Sequence, residues 1–382
     1  MTNGRKRIAL FTCYSPEIGG GGANLRSLIP QLVDVEVNWF YLGSNLSSWP
    51  NAVGLGRSLM GGPAYRDLVL SPMLWLGLAD RWLAPIAKRI LQQGFDGHWV
   101  VAMNEGILIG SRLAEHAPEI PLHVSVQDDQ EFGMFGRSKR YRWLARLTRA
   151  PFRRLMRRAT SIDVTSDSMQ RYYEHTLGVA SVVVHPFVAG LPAALPRAAA
   201  GETLTVGHIG SIYSSATLAA FLRVLVAYAR KKQRALRLIF IGQSRHLERV
   251  RLHAPEADVV FEPSLAEATA VRRLMVCDFV YAMYPFDRAS EVFSRTSLPT
   301  KLATYVQAQR PILGHAPESS TLAAFLREHP VGVIAASEAP EEIARALEVV
   351  SALAVPAGAW ERVRHEVYGH GNVERLHRCL LD

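Results

Sequence analysis

Ser297-Leu298-Pro299-Thr300-Lys301-Leu302 is the stretch whose residue types most clearly could do chemistry. Pro299 suits the first helical position, where its missing N–H would have no partner in any case. A helix start presents free N–H groups and the positive end of a dipole, which together bind anions. Lys301 adds a full positive charge in the same turn. The helix start contributes only about 0.3–1 kcal/mol to a nearby charge, up to ~2 kcal/mol when partly buried. The ammonium is therefore needed to neutralise a group as charged as a diphosphate. The alternative is a solvated surface lysine. A strand-like run closing at Met283-Tyr284-Pro285-Phe286 precedes this turn, and Arg310-Pro311-Ile312-Leu313 follows it.

Three further constellations could join it. Gly207-His208-Ile209-Gly210-Ser211-Ile212-Tyr213-Ser214 lies at a strand end, where loops line the ligand crevice of open α/β sheets. Gly210, Ser211 and Tyr213 could meet a phosphate or a sugar there, or form a plain turn with a serine cap. Gly19-Gly20-Gly21-Gly22-Ala23-Asn24 follows the first strand. Gly20, Gly21, Gly22 and Asn24 would let backbone approach a ligand ahead of a helix, or make a tight turn. The spacing is not Gly-x-Gly-x-x-Gly, and the second strand ends Phe40-Tyr41-Leu42-Gly43 with no acid for a ribose. Both observations argue against a nicotinamide or flavin site. Gln127-Asp128-Asp129-Gln130-Glu131 brings carboxylates to a strand end. Asp128 and Asp129 could orient a hydroxyl or act as a base, or could cap a helix. No histidine adjoins them to complete a metal set.

Arg137 to Arg158 holds ten basic residues and no Asp or Glu. Trp143, Leu144, Leu147, Phe152, Leu155 and Met156 interleave at helical spacing, and Pro151 should kink or divide the helix. Such a stretch suits an anionic membrane surface, with Arg146, Arg149, Arg153 and Arg154 as contacts, or is a solvated surface helix. Each basic side chain near such a surface contributes ~1 kcal/mol. Nucleic acid could use the same charge, but no RNA or DNA motif accompanies it.

The elements that must position these groups read clearly. In 382 residues, 49% apolar and 20% charged, the chain can bury two cores, and its net charge of +9 is concentrated rather than spread. Runs at 7–12, 35–42, 98–102, 122–126, 161–165 and 181–184 read as strands alternating with helices at 23–32 and 105–116. His185 to Glu202, rich in proline and alanine, reads as a linker. The pattern restarts with strands at 204–209, 236–241, 259–261, 279–283, 311–313 and 332–334. One or two helices should close at 360–382. Cys13, Cys277 and Cys379 have neither metal nor disulfide spacing, so a reducing compartment is expected. No signal peptide or membrane-spanning run is expected.

In order and spacing, these landmarks resemble the retaining GT-B glycosyltransferases. The residues are the Gly19–Gly22 run, Asp163-Val164-Thr165-Ser166-Asp167-Ser168-Met169, Val183-Val184-His185-Pro186, Gly207–Ser211, Ile239–Gly242 and Pro299–Leu313. The group is the large bacterial one that includes surface-polysaccharide and lipid-linked-saccharide transferases. The resemblance implies an α/β fold of two Rossmann-like domains facing each other across a cleft. Residues 1–190 would bind the acceptor and 203–355 the nucleotide sugar, and 356–382 would be a helical segment able to pack back on the first domain. It implies donor binding by Gly210, Ser211, Tyr213, Tyr284, Pro299, Thr300, Lys301 and Thr304, and catalysis by Lys301 with Asp128 and Asp129. Gly20, Gly21, Gly22 and Asn24 would lie near the acceptor. It requires no metal and no cofactor beyond the nucleoside diphosphate sugar. A cytoplasmic protein peripheral on the inner face of the plasma membrane is implied.

The chain departs from that group where two glutamates seven residues apart are usual, since Thr296 and Thr304 stand there. Thr304 would offer the donor ribose a neutral hydroxyl in place of a carboxylate. Two other readings stay open: a sugar-nucleotide epimerase on the same fold, and a membrane-associated relative without catalysis.

Overall fold

β1 (Lys6–Thr12) carries Ile8-Ala9-Leu10-Phe11, all four buried, the run expected of a parallel strand covered on both faces. The computed structural model describes residues 4–43, 46–59, 72–73, 75–78, 80–130, 143, 145–195, 201–242 and 247–381. The chain divides into two compact units, one of residues 1–187 with 371–382 and the other of residues 188–370.

The first unit is built on a parallel sheet of β1 with β2 (Val35–Tyr41), β3 (Ala52–Gly54), β4 (Gly97–Val101), β5 (Leu122–Val126), β6 (Ser161–Val164) and β7 (Val182–Val183). Its order is β3-β2-β1-β4-β5-β6-β7. Helices α1 (Gly19–Leu28), α2 (Asp80–Leu91), α3 (Glu105–His116), α4 (Ala145–Arg158) and α5 (Asp167–Leu177) belong to the same unit. β3 and α2 were not foreseen. β3 has three residues, none of them fully buried, so it carries too little apolar signal to be read.

The second unit holds β8 (Thr203–Ile209), β9 (Ala235–Ile241), β10 (Asp258–Glu262), β11 (Phe279–Met283), β12 (Ile312–His315) and β13 (Gly332–Ala335), all parallel, in the order β10-β9-β8-β11-β12-β13. Its helices are α6 (Ser215–Lys231), α7 (Leu247–His253), α8 (Glu267–Leu274), α9 (Glu291–Thr296), α10 (Lys301–Ala308), α11 (Thr321–Glu328), α12 (Pro340–Ala352) and α13 (Ala357–Tyr368). The six strands expected here all form, within one or two residues of the anticipated limits.

The chain crosses between units twice, at Phe187/Val188 and at His370/Gly371. α13 therefore stays with the second unit. α14 (Gly371–Leu381) lies against β6 and β7 of the first, where Lys6 Nζ donates to the Leu381 carbonyl at 3.0 Å. Ser161 Oγ likewise donates to the Cys379 carbonyl at 2.7 Å.

Two local expectations give way to packing. The glycine run is not a loop: Gly19 to Gly22 form the first turn of α1. A Cβ at Gly21 would sit 2.1 Å from Gln127 Oε1 and 2.6 Å from the Tyr14 hydroxyl, and one at Gly22 would sit 2.4 Å from the Pro16 carbonyl. The glycines therefore let the helix start under its neighbours. Pro151 does not divide the basic helix, which runs through it from Ala145 to Arg158. Phe152, Leu155 and Met156 are buried against the core and hold the second half in register. Of the basic stretch, residues 137–142 lie outside the described residues, as do Glu131 and part of the expected linker, 196–200.

Candidate functional site

In each sheet the winding direction reverses at one place, between β1 and β4 and between β8 and β11. Loops leaving the carboxyl ends of those strands leave a crevice, where open α/β sheets bind ligands. In the second unit the sequence-predicted residues assemble there. Gly210 follows β8 with φ +83°, a left-handed conformation that disfavours side chains. Its N–H donates to the Ile241 carbonyl at 2.8 Å. A Cβ on Gly242, at φ +122°, would sit 3.4 Å from the Gly210 nitrogen, so the turns after β8 and β9 pack back to back.

Lys301 opens α10 and reaches into this turn. Its Nζ donates to the Ser211 carbonyl at 2.9 Å and stands 5.1 Å from the centre of the Tyr213 ring. Tyr213 stacks on Tyr284 at 5.5 Å, and Phe293 packs edge-on against both. The Tyr284 hydroxyl donates to the Ser297 carbonyl at 2.5 Å, tying the loop after β11 to the segment before α10. Tyr305, one turn on from Lys301, donates its hydroxyl to the Tyr281 carbonyl and accepts from the Ile209 N–H. Residues from β8, β11 and α10 thus meet around one ammonium.

That ammonium is 8% exposed, and burial pushes its pKa down to about 7. Among the described residues no carboxylate offsets the loss of solvation. His208, just before the turn, is pushed to about 3 by burial and by the Lys301 charge, so it stays neutral. A buried cation at a sheet's switch point, with no carboxylate beside it among the described residues, has the chemistry to take an anion.

Pro299 and Thr300 take a different place from the one expected. α10 begins at Lys301, and the Pro299 carbonyl accepts from the Leu302 N–H in a turn before the helix. Thr300 is the N-cap, without a side-chain cap bond. Thr304 lies on α10 one turn beyond Lys301, but its hydroxyl is engaged. It donates to Glu267 Oε1 at 2.8 Å, and Gln307 Nε2 donates to the same oxygen at 3.0 Å. Glu267, at the start of α8, was missed because nothing in the sequence links it to Thr304 across 37 residues.

No protein-family model matches the chain, and no curated protein does. Solved structures match along almost its whole length. The chain is similar to WaaG, a glycosyltransferase involved in lipopolysaccharide biosynthesis, at 12% identity and a TM-score of 0.66, covering 98% of this chain and 99% of that one. It is similar to the Candida albicans trehalose-6-phosphate phosphatase N-terminal domain at 14% identity and 0.65, covering 98% and 96%. It is also similar to Anabaena Alr3699/HepE, solved with UDP and glucose, at 12% and 0.63, covering 97% and 98%. The chain has the GT-B fold.

In the first GT-B unit the loops after β1 and β5 bring together Tyr14 and Gln127. The Tyr14 hydroxyl donates to Gln127 Oε1 at 2.8 Å, and Gln127 Nε2 donates to the Gly21 carbonyl at 3.4 Å. The expected acceptor-side residues are therefore partly enclosed: Gln127 and Tyr14 occupy the space over Gly21, and Asn24 is 4% exposed. Asp128 is exposed. Asp129 is 2% exposed and accepts from the Tyr173 hydroxyl of α5 at 2.9 Å. Cys13 is packed as expected of a small residue. Its thiol donates to the Met103 carbonyl at 3.0 Å, and burial raises its pKa. Glu105, unremarked in the sequence, is fully buried and accepts from Ser58 and the Leu59 N–H. Of the four arginines expected at a membrane, Arg146 and Arg154 are exposed while Arg149 and Arg153 are half-buried. Among the described residues no helix is long and apolar enough to cross a membrane, and no group of metal-binding side chains occurs.

Proposed function

We propose that the chain is a glycosyltransferase that moves a sugar from a nucleoside diphosphate sugar to a saccharide or lipid-linked acceptor, in cell-surface polysaccharide or glycolipid synthesis. The observation that carries this reading is the buried Lys301 ammonium against the Gly210–Ser211 turn, with no carboxylate partner among the described residues. Two structures of the same fold, Alr3699/HepE and an Escherichia coli trehalose-6-phosphate protein, were solved with UDP and glucose and with UDP-2-fluoro glucose respectively.

In this reading Lys301 binds the diphosphate, with Gly210 and Ser211 lining its path, Tyr213 and Tyr284 closing the pocket, and Pro299 and Thr300 setting the helix start. The bond from the sugar's anomeric carbon to the phosphate oxygen breaks with its electron pair passing to the phosphate, and the ammonium stabilises that charge. The acceptor oxygen forms the new bond to the same carbon and loses its proton. In a retaining course, departure and attack share one face, and a leaving phosphate oxygen takes that proton. Asp128 orients the acceptor hydroxyl, beside the α1 turn of Gly20, Gly21 and Gly22. Arg146, Arg149, Arg153 and Arg154 hold the protein on the anionic cytoplasmic leaflet. An epimerase reading needs the acids after β5 as a working pair, and Asp129 is engaged elsewhere.

Calorimetry across a panel of UDP-, GDP-, ADP- and TDP-sugars, followed by transfer to lipid-linked saccharides, tests the proposal. One sugar nucleotide should bind, and its sugar should appear on an acceptor. Failure of every member of the panel to bind would overturn it.

Glu267 refines the donor site. One of its oxygens takes Thr304 and Gln307, which leaves the carboxylate held one helical turn from Lys301, where the ribose of a nucleotide on Lys301 would fall. Glu267→Gln should weaken nucleotide binding by about tenfold, the scale of one charge-assisted hydrogen bond. Thr304→Glu should weaken nucleotide binding, because two carboxylates would meet. Tighter binding by Thr304→Glu in the same titration would exclude this role for Glu267.

A further inference from the structure

A chain of buried polar groups crosses the first sheet and ends on α14. It begins at Trp99 of β4, whose indole N–H donates to Ser125 Oγ of β5 at 2.7 Å. The Ser125 hydroxyl donates to Asp163 Oδ1 of β6. The same oxygen stands 2.8 Å from His123 Nε2, and His123 Nδ1 stands 2.8 Å from Ser161 Oγ. Ser161 in turn donates to the Cys379 carbonyl of α14 at 2.7 Å. His123 and Ser125 are each 2% exposed and Asp163 4%. None of these groups belongs to the donor site.

The two ends of the chain fix where its hydrogens lie, because an indole N–H only donates and a carbonyl only accepts. Ser161 has one hydrogen and gives it to Cys379, so its oxygen accepts from a hydrogen on His123 Nδ1. Ser125 accepts the indole hydrogen and gives its own to Asp163. Nε2 and Oδ1 then need one more hydrogen between them, since a lone pair facing a carboxylate oxygen is repelled. His123 and Asp163 together therefore hold one proton more than a neutral imidazole beside a carboxylate. When that proton leaves, the remaining ring hydrogen stays on Nε2, facing Asp163, and Nδ1 becomes an acceptor. The Ser161 hydroxyl must then turn to Nδ1, and the Cys379 carbonyl loses its donor.

We propose that His123, Asp163 and Ser161 form a proton-operated latch for the C-terminal helix, which bonds α14 to the first sheet when protonated and releases that bond when deprotonated. The latched arrangement binds more protons, so α14 is held most tightly at low pH and less tightly as pH rises. The charged groups around it have other partners. Lys6 of β1 donates to the Leu381 carbonyl, Arg375 of α14 to the Val183 carbonyl and Asn372, and Arg26 of α1 to the Pro16 carbonyl. His98 of β4 is kept neutral by burial. α5 packs on the opposite face, against Ile162 and Val164. On α14, Glu374 and Arg378 are exposed, and His377 and Cys379 are half-buried.

Amide hydrogen exchange of the full chain, corrected for the intrinsic pH dependence of exchange, reads the latch at residues 371–381. Residues 279–283 of β11 in the second unit serve as the internal reference. Between pH 6 and pH 9, a span that begins just below the ordinary histidine value of about 6.5, protection of α14 should fall by about tenfold relative to β11, the scale of one hydrogen bond. Asp163→Asn places an amide N–H opposite Nε2, so a neutral ring keeps its Nδ1 hydrogen and the Ser161–Cys379 bond without the extra proton. In that variant α14 should stay protected at pH 9 and lose the pH dependence. Ser161→Ala removes the hydroxyl that turns, and should show the wild-type pH 9 protection at both pH values. His377→Gln should keep the wild-type profile. Nitrogen-15 NMR of the unaltered protein should find a hydrogen on His123 Nδ1 at pH 6 and none at pH 9.

Equal wild-type protection at pH 6 and pH 9 would overturn the latch, as would an Asp163→Asn profile as steep as the wild type's. A flat profile in His377→Gln would move the proton to His377 and overturn it too. So would a His123 Nδ1 without hydrogen at pH 6.

Discussion

Lys301→Met is expected to weaken nucleoside diphosphate binding by about 10²–10³-fold and to abolish transfer, without unfolding the protein. Removing one partner of a buried charge pair costs about 3–5 kcal/mol, because the other charge is left in a low dielectric without compensation. Here the surviving charge belongs to the ligand, so the cost falls on affinity. In the empty protein the sign reverses. Lys301 is 8% exposed, burial pushes its pKa down to about 7, and among the described residues no acid offsets that burial. Holding it charged therefore destabilises the fold. Methionine keeps the length and apolar stem of the lysine, so the variant should melt at or above the wild-type temperature. Calorimetry with the nucleoside diphosphate of the sugar nucleotide that binds, and a thermal melt, read both effects. Undiminished nucleotide binding would remove Lys301 from the donor site.

The second large effect is on pH. A bound diphosphate favours the protonated form, so binding is coupled to proton uptake once Lys301 loses its proton. Below pH 7 the group is already charged and the affinity is at its plateau. Above it, affinity should fall by about tenfold per pH unit, on the order of 10²-fold by pH 9. The stability of the empty protein runs the other way. Between about 7 and the ordinary lysine value of 10.5 the unfolded chain binds more protons than the folded one, so this group's contribution to stability rises with pH across that window. The rise in melting temperature produced by UDP should accordingly shrink from pH 7 to pH 9. A flat affinity profile over that range, with Lys301→Met also flat, would mean that the diphosphate does not sense this ammonium.

How much of this was legible varies with the physics involved. The strands of the second unit were readable because parallel strands buried on both faces are short unbroken apolar runs, such as Phe279–Met283. Lys301 was readable as a residue of a helix start, because a Pro-Thr-Lys turn follows a strand and a loop, but its burial was not. What failed depended on contacts distant in sequence. The glycine run looks like a ligand loop until Tyr14 and Gln127 are seen filling the space above it. Asp128 and Asp129 are indistinguishable as letters, yet one is exposed and the other accepts from Tyr173 beneath the surface. Glu267 could not be linked to Thr304, because helix contacts across separate strand–helix units leave no periodic signature.

The double crossing at Phe187/Val188 and His370/Gly371 sets an order of events during synthesis. The second unit is one unbroken stretch and has all of its parts once residue 370 has emerged. The first unit begins earlier but lacks α14, whose Leu381 and Cys379 carbonyls take Lys6 and Ser161, until residues 371–381 follow. The half that is translated first is thus the half completed last. Until then β6 and β7 are without the helix that packs on them, and a nascent chain stalled before residue 371 carries a finished second unit beside an unfinished first one.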